Sequence, residues 1–258
     1  MEMFPMIRAA LASLLILSGF LLSSNALADR SLRLMTNASP PYADVKLPEQ
    51  GIAPELVRAV FDKAGYAVEI SIENWSRAVE GATLGVYDGL AAAWYSEERA
   101  HSLLFSEPYL ESELVILKRR ADTRHYDSLS DLSGARLGVR TDYAYGVDFA
   151  SVPGLVLVQE NHLIQNLLRL QSGSVDFVIG DLRTVNQQLH EYMNDSASKF
   201  TVTKIKLSPV ARHVAISHQR EDHKTVVADF NKALAALRAD GTYDAILKKW
   251  RERYRGLN

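Results

Sequence analysis

Apolar residues along the chain follow two periods in turn, every second position in short runs and every third or fourth in longer ones, which mark strands and helices respectively. Residues 32–36 alternate and read as a strand, which Asn37-Ala38-Ser39-Pro40-Pro41 ends as a loop. Residues 53–64 carry Leu56, Val57, Val60 and Phe61 on one stripe, with Pro54 in the first turn and Gly65 as a stop, so a helix is predicted there. A strand at 68–72, a helix at 75–84 and a wholly apolar strand at 89–94 follow. This β-α-β-α-β order predicts a parallel sheet covered by helices.

After a strand at 113–118 and the charged turn Arg119-Arg120-Ala121-Asp122, the alternation starts afresh. It predicts a short helix at 128–132, strands at 136–139, 155–158 and 177–180, and helices from about Tyr143, at 163–170 and at 182–193. Strands at 201–206 and 213–217 and helices at 225–239 and 243–254 close the pattern. Two α/β units of similar size are therefore expected. A ligand of such sheets sits beyond the carboxyl ends of their strands, at a topological switch point.

Composition adds limits. The 258 residues are 47% hydrophobic and 23% charged, ordinary for a globular chain with material for a core, and the net charge of -2 is scattered, with no basic patch for nucleic acid. Arg8, the apolar run 9–22 and the small-x-small triplet Ala26-Leu27-Ala28 predict a signal peptide over 1–28, cleaved before Asp29. The run is short for the roughly 20 residues a membrane span needs. Cysteine is absent, so neither a lipid-acceptor thiol nor a disulfide framework is available. A free periplasmic protein, monomeric, is the expectation.

One stretch resists a purely local account. Ser96 suits a helix N-cap, and Glu97 and Glu98 suit the positive end of the helix, but Arg99 places a cation where the helix dipole opposes it. Either a neighbouring carboxylate or an external anion would resolve the conflict. Phe105-Ser106-x-Pro108-Tyr109 follows at fixed distance. Together they resemble the T-x-E-R-x5-F-S-x-P-Y signature of the bacterial solute-binding proteins of family 3, the periplasmic amino-acid receptors of ABC importers, with Ser96 in place of Thr. Pro40-Pro41-Tyr42, Leu84-Gly85-x2-Asp88, Gly134-x3-Gly138-Val139, Leu170-x2-Gly173-x-Val175-Asp176 and Asp240-Gly241-Thr242-Tyr243 extend the likeness along the chain.

The resemblance implies a two-lobed periplasmic-binding-protein fold of type II, each lobe a mostly parallel sheet flanked by helices and the two joined by two hinge strands. Lobe 1 would comprise 29–114 with 213–258, and lobe 2 would comprise 115–212. It implies that Arg99 grips a ligand's α-carboxylate and that Asp181, five residues after Asp176, takes its ammonium. A helix N-cap is the competing role for Asp181. A guanidinium fork and a carboxylate on opposite lobes would read a zwitterion and favour the closed state.

The expected pocket walls are Trp75, Tyr42, Trp94, Asp142 and Tyr143. Thr36 lies where receptors for basic amino acids carry an aspartate. Trp94 replaces a small hydroxyl residue, and Asp142-Tyr143-Ala144 replaces a Gly-Ser/Thr-Thr run that supports the carboxylate. The ligand is then an amino acid in a tight aromatic pocket, or a cation or aromatic compound caged by Trp75, Trp94 and Tyr143. Core packing is the alternative for each tryptophan.

The seven histidines are dispersed without ligand spacing, and no H-E-x-x-H, G-x-S-x-G, P-loop or G-x-G-x-x-G is present, so neither metal nor cofactor is expected. Partners would be a small-molecule ligand and an ABC permease of the inner membrane, or instead a membrane sensor. A catalyst on the same scaffold, similar to cyclohexadienyl dehydratases and using Asp142 or Asp181 as general acid, is the enzymatic alternative.

Overall fold

The computed structural model describes residues 30–254; the expected signal peptide lies outside them. The first unit runs β1 (Ser31–Asn37), α1 (Ile52–Ala64), β2 (Ala67–Glu73), α2 (Trp75–Thr83), β3 (Gly89–Trp94), α3 (Glu97–Ala100), β4 (Leu103–Phe105) and β5 (Leu110–Ser112). α1 buries Leu56, Val57, Val60 and Phe61 completely, each contributing about 1.5–3 kcal/mol. It stops at Gly65, whose φ of 82° lets its N–H reach the carbonyls of Asp62 and Phe61. α2 starts where the Asn74 side chain accepts a hydrogen bond from Ser76 N. β3, Gly-Leu-Ala-Ala-Ala-Trp, is buried at every position, as expected of a strand covered on both faces.

The second unit runs β6 (Leu114–Arg119), β7 (Arg136–Arg140), β8 (Val156–Glu160), α4 (Leu163–Ser172), β9 (Phe177–Asp181), α5 (Leu182–Tyr192) and β10 (Phe200–Val202). The chain then returns through β11 (Val210–Ser217), α6 (His223–Ala239) and α7 (Thr242–Arg253). The first sheet has the order β2-β1-β3-β11-β4, with β5 also on β11, and the second β10-β6-β9-β7-β8. β1 is parallel to both β2 and β3, and β7 to both β8 and β9, whereas β11 and β6 are antiparallel to their neighbours. Each sheet with its helices forms a lobe. The chain crosses between them twice, from β5 to β6 and from β10 to β11.

Each lobe has a core on both faces of its sheet. Trp94 ends a strand of the first sheet yet belongs to the core cluster of the second lobe, with Leu114, Ile116, Leu137 and Phe177, and its ring meets Tyr143 and Tyr145. Tyr143 touches both that cluster and the one built on Met35, Trp75 and Leu90. These two rings join the cores of the lobes.

Three local expectations need correction. No helix follows Tyr143: Asp142 at φ 58° and Gly146 at φ 66° turn the chain into a loop over 141–148. The strand predicted over 201–206 extends only through Val202, and the next begins at Val210 rather than His213.

Candidate functional site

The carboxyl ends of β1 and β3 face those of β7 and β9. The last residues of these strands are Asn37, Trp94, Arg140 and Asp181. β1 neighbours β3 and β7 neighbours β9, so the four ends bound one crevice, where open α/β sheets place their ligands. Burial marks the same place. Among the described residues the charged side chains classed as buried are Arg140 at 7% exposure, Asp181 at 5% and Arg212 at 4%, and all three line it. Burying an ion costs several kcal/mol unless partners compensate, so such a concentration is not incidental to packing.

Ser96 does cap α3, accepting from Arg99 N at 3.2 Å. The Arg99 guanidinium turns back onto the Trp94 carbonyl at 3.0 Å and across the crevice onto the Asp142 carbonyl, with its Cζ 5.1 Å from the Trp75 ring. Burial pulls its pKa below the usual guanidinium value, while the carboxylates of Glu98 and Asp142 act in the opposite sense. The anion that local electrostatics calls for is replaced here by two carbonyl dipoles.

The Asp142 carbonyl also accepts from Trp75 Nε1 at 2.9 Å, and its carboxylate accepts from the Ser76 hydroxyl. Next to it, the Tyr143 hydroxyl accepts from Asn37 Nδ2 at 2.7 Å and from Arg140 Nη1. Its ring stands edge-on to Trp94 and Trp75, with centroids 5.0 and 6.0 Å away. Arg140 donates further to the carbonyls of Asn161 at 3.1 Å and Ala38 at 3.4 Å. The loop therefore latches the second lobe to the first through its own backbone and ring.

Asp181 takes the helix-cap role, and its second oxygen is turned to the opposite lobe. Its Oδ1 accepts from Thr184 N at 3.0 Å and caps α5, and its Oδ2 accepts from the Tyr42 hydroxyl of the opposite lobe at 3.0 Å. Burial and the adjacent Asp181 carboxylate push the Tyr42 phenol up to about 12, so it remains a neutral donor. The Arg212 Cζ lies 3.7 Å from the Tyr42 ring centroid and 5.6 Å from that of Trp94. It sits on β11, in register with Trp94 on one side and Leu110 on the other.

An open groove of about 880 Å³ runs along the 141–148 loop, lined by Glu97, Arg140, Asp142, Tyr143 and Phe149 among others, but between that loop and the first lobe little empty space is left. One cavity of about 10 Å³ is lined by Asn37, Trp75, Trp94, Arg99, Tyr143 and Arg212, and a second of about 10 Å³ by Ser39, Arg140, Tyr145, Asp181 and Thr184, with Trp94, Tyr143 and Arg212 shared. Each is about the least that holds a single water. A cavity of 610 Å³ lies elsewhere, between the crossing segment at 108–113, the start of α5 and the two last helices. Its walls carry none of the three buried charges.

All seven residues singled out from the sequence, Arg99, Asp181, Trp75, Trp94, Tyr42, Asp142 and Tyr143, meet at this crevice. Asn37, Arg140 and Arg212 were missed. Arg212 had a readable signal, since period two along β11 places it on the face of Val214 and Ile216. Arg140 had none beyond ending an apolar strand.

Two α/β lobes joined by two crossing segments, with buried charges of both signs at the strand ends between them, define a clamshell receptor for a small polar molecule. The chain belongs to the bacterial extracellular solute-binding proteins, family 3, whose profile matches residues 32–253. It is 30% identical to the ABC transporter arginine-binding protein 1 of Escherichia coli (strain K12) over 156 residues, 59% of this chain and 61% of that protein. A putative ABC transporter arginine-binding protein 2 of the same organism is 24% identical over 91% of this chain and 96% of its own. An ancestral arginine-binding protein bound to arginine superposes with a TM-score of 0.74 at 25% identity, covering 86% of this chain and 98% of its own.

Proposed function

We propose that the protein is an extracellular receptor that closes its two lobes on a free amino acid and delivers it to an ABC importer. The observation that carries this is the opposition, at the strand ends of the two lobes, of the Arg99 guanidinium and the Asp181 carboxylate. The ligand's α-carboxylate replaces the carbonyls of Trp94 and Asp142 on Arg99, exchanging dipoles for a full charge. Its ammonium joins the Tyr42 hydroxyl on Asp181. Both ends are satisfied only when the lobes are together, so binding favours closure. The import role is supported by the relatives' names and by family membership.

The ligand has a competitor within the chain. With cavities of about 10 Å³, the Asp142–Tyr143 loop occupies the space a ligand needs and must withdraw before one enters. Three arginines around the crevice also disfavour the cationic occupant that an aromatic cage alone would suit.

Titration calorimetry against the common amino acids tests the proposal. At least one should bind in the micromolar range or tighter. Arg99→Ala and Asp181→Asn should each weaken it by on the order of 2–5 kcal/mol, because each leaves a desolvated charge unpaired. Absence of heat with every amino acid, or wild-type affinity in Arg99→Ala, would refute it.

A further inference from the structure

The Arg212 side chain lies buried in the crevice against two aromatic rings. Its Nε is buried without a hydrogen-bond partner, and among the described residues its guanidinium enters no ion pair. Tyr42 and Trp94 offer it only their ring faces. A second donor is in the same condition: Trp94 Nε1 is buried and unpartnered, and Trp94 lines both cavities together with Arg212. A guanidinium and an indole N–H have no acceptor capacity, so what both lack is an oxygen-rich, electron-donating group. Buried donors of this kind are normally satisfied, and an exception calls for a missing partner.

Charge makes the missing partner specific. In the proposed mode Arg99 takes the α-carboxylate and Asp181 the ammonium. Arg140 already donates to the Tyr143 hydroxyl and to the carbonyls of Asn161 and Ala38. Arg212 is then the cation left over, 4% exposed at the centre of the crevice. A neutral amino acid would leave it uncompensated, and a basic one would add a like charge beside it.

We propose that Arg212 reads a second anionic group on the ligand, so that the receptor takes small molecules with two carboxylates, an acidic amino acid first among them. The inference rests on the reading of Arg99 and Asp181 given above and names the ligand class of that same site.

Calorimetry of the wild type with L-glutamate, L-aspartate, their amides, L-arginine and glutarate decides it. Glutamate or aspartate should bind at least tenfold more tightly than its amide, a difference of about 1.4 kcal/mol, and arginine should bind most weakly. If glutarate equals glutamate, the second carboxylate is read and the ligand is a dicarboxylate without an ammonium. In Arg212→Gln the ratio of acid to amide affinity should fall towards one, and Arg212→Lys, which keeps the charge, should restore part of it. Glutamine or arginine binding as tightly as glutamate to the wild type, or an unchanged ratio in Arg212→Gln, overturns the inference and leaves the amino-acid receptor standing. Failure of every amino acid and of glutarate removes both. The wild-type panel reads out even where a variant at this buried position does not fold.

Discussion

Tyr143 bridges the two lobes across the crevice, and its removal should loosen the protein while tightening its grip on a ligand. Tyr143→Phe deletes the hydroxyl that accepts from Asn37 and Arg140. Both donors keep other partners, Asn37 the Ala38 carbonyl at 3.3 Å and Arg140 the Asn161 carbonyl at 3.1 Å, so neither is orphaned. The loss should then be that of hydrogen bonding to one charged and one neutral donor, about 1–3 kcal/mol. At roughly 2–4 °C per kcal/mol for a chain of this size, the melting temperature of the free protein should drop by several degrees. Tyr143→Ala should fall further, by about 0.5–1.5 kcal/mol for each lost contact with Trp75, Trp94 and Tyr145. The ligand must break the same hydrogen bonds to enter, so their absence should raise its affinity by up to the same 1–3 kcal/mol, about 5- to 150-fold. The assay is thermal melting of each variant paired with calorimetry of the amino acid that binds the wild type best. A Tyr143→Phe protein that melts earlier and binds no more tightly would refute the idea that ring and ligand compete.

Two further predictions concern the frame of the site. An added Cβ at Gly89 would lie 2.2 Å from the Ala215 carbonyl oxygen, backbone that cannot step aside, so Gly89→Ala should separate β3 from β11 and cost about 1–3 kcal/mol, measured by denaturant unfolding. His213 on β11 bonds the Ser106 carbonyl at 2.7 Å, and burial lowers its pKa below the usual 6.5. Its neutral form is the native one, so stability is fully present above about pH 6.5 and declines as pH falls through the depressed native value. His213→Gln should flatten the slope of melting temperature between about pH 7 and 5, and an unchanged slope would show that other groups set it.

The two α/β units were legible because each strand and helix carries its own period: the stripe of α1 and the unbroken apolar run of β3 admit few other readings. Arg99 was legible for a different reason, since a cation in the first turn of a helix is opposed by the dipole, and Asp181 through its spacing of five from Asp176 in the family resemblance. The loop at 141–148 was not. Residues 143–145 carry no marker against helix, and the backbone is decided by Asp142 in a left-handed conformation that its contacts with Arg99, Trp75 and Ser76 hold. Those contacts come from the other lobe, and a sequence window does not see them. Arg140 and Arg212 were hidden similarly, because burial of a lone arginine depends on what the two sheets enclose between them.

β11 is both a strand of the first sheet and the end of a crossing segment, with a break in its register to β3 between His213 and Ala215. A side chain on such a segment has almost no lever arm when the lobes swing. In the proposed closure Arg212 should therefore keep its position, available to a ligand on entry and unchanged when the lobes meet. A contact of equal strength in both states adds to affinity and nothing to the balance between them. On the proposed reading, selecting the ligand and shutting on it fall to different parts of the molecule, the first to the axle and the second to the rims, so that each could be changed by design without disturbing the other.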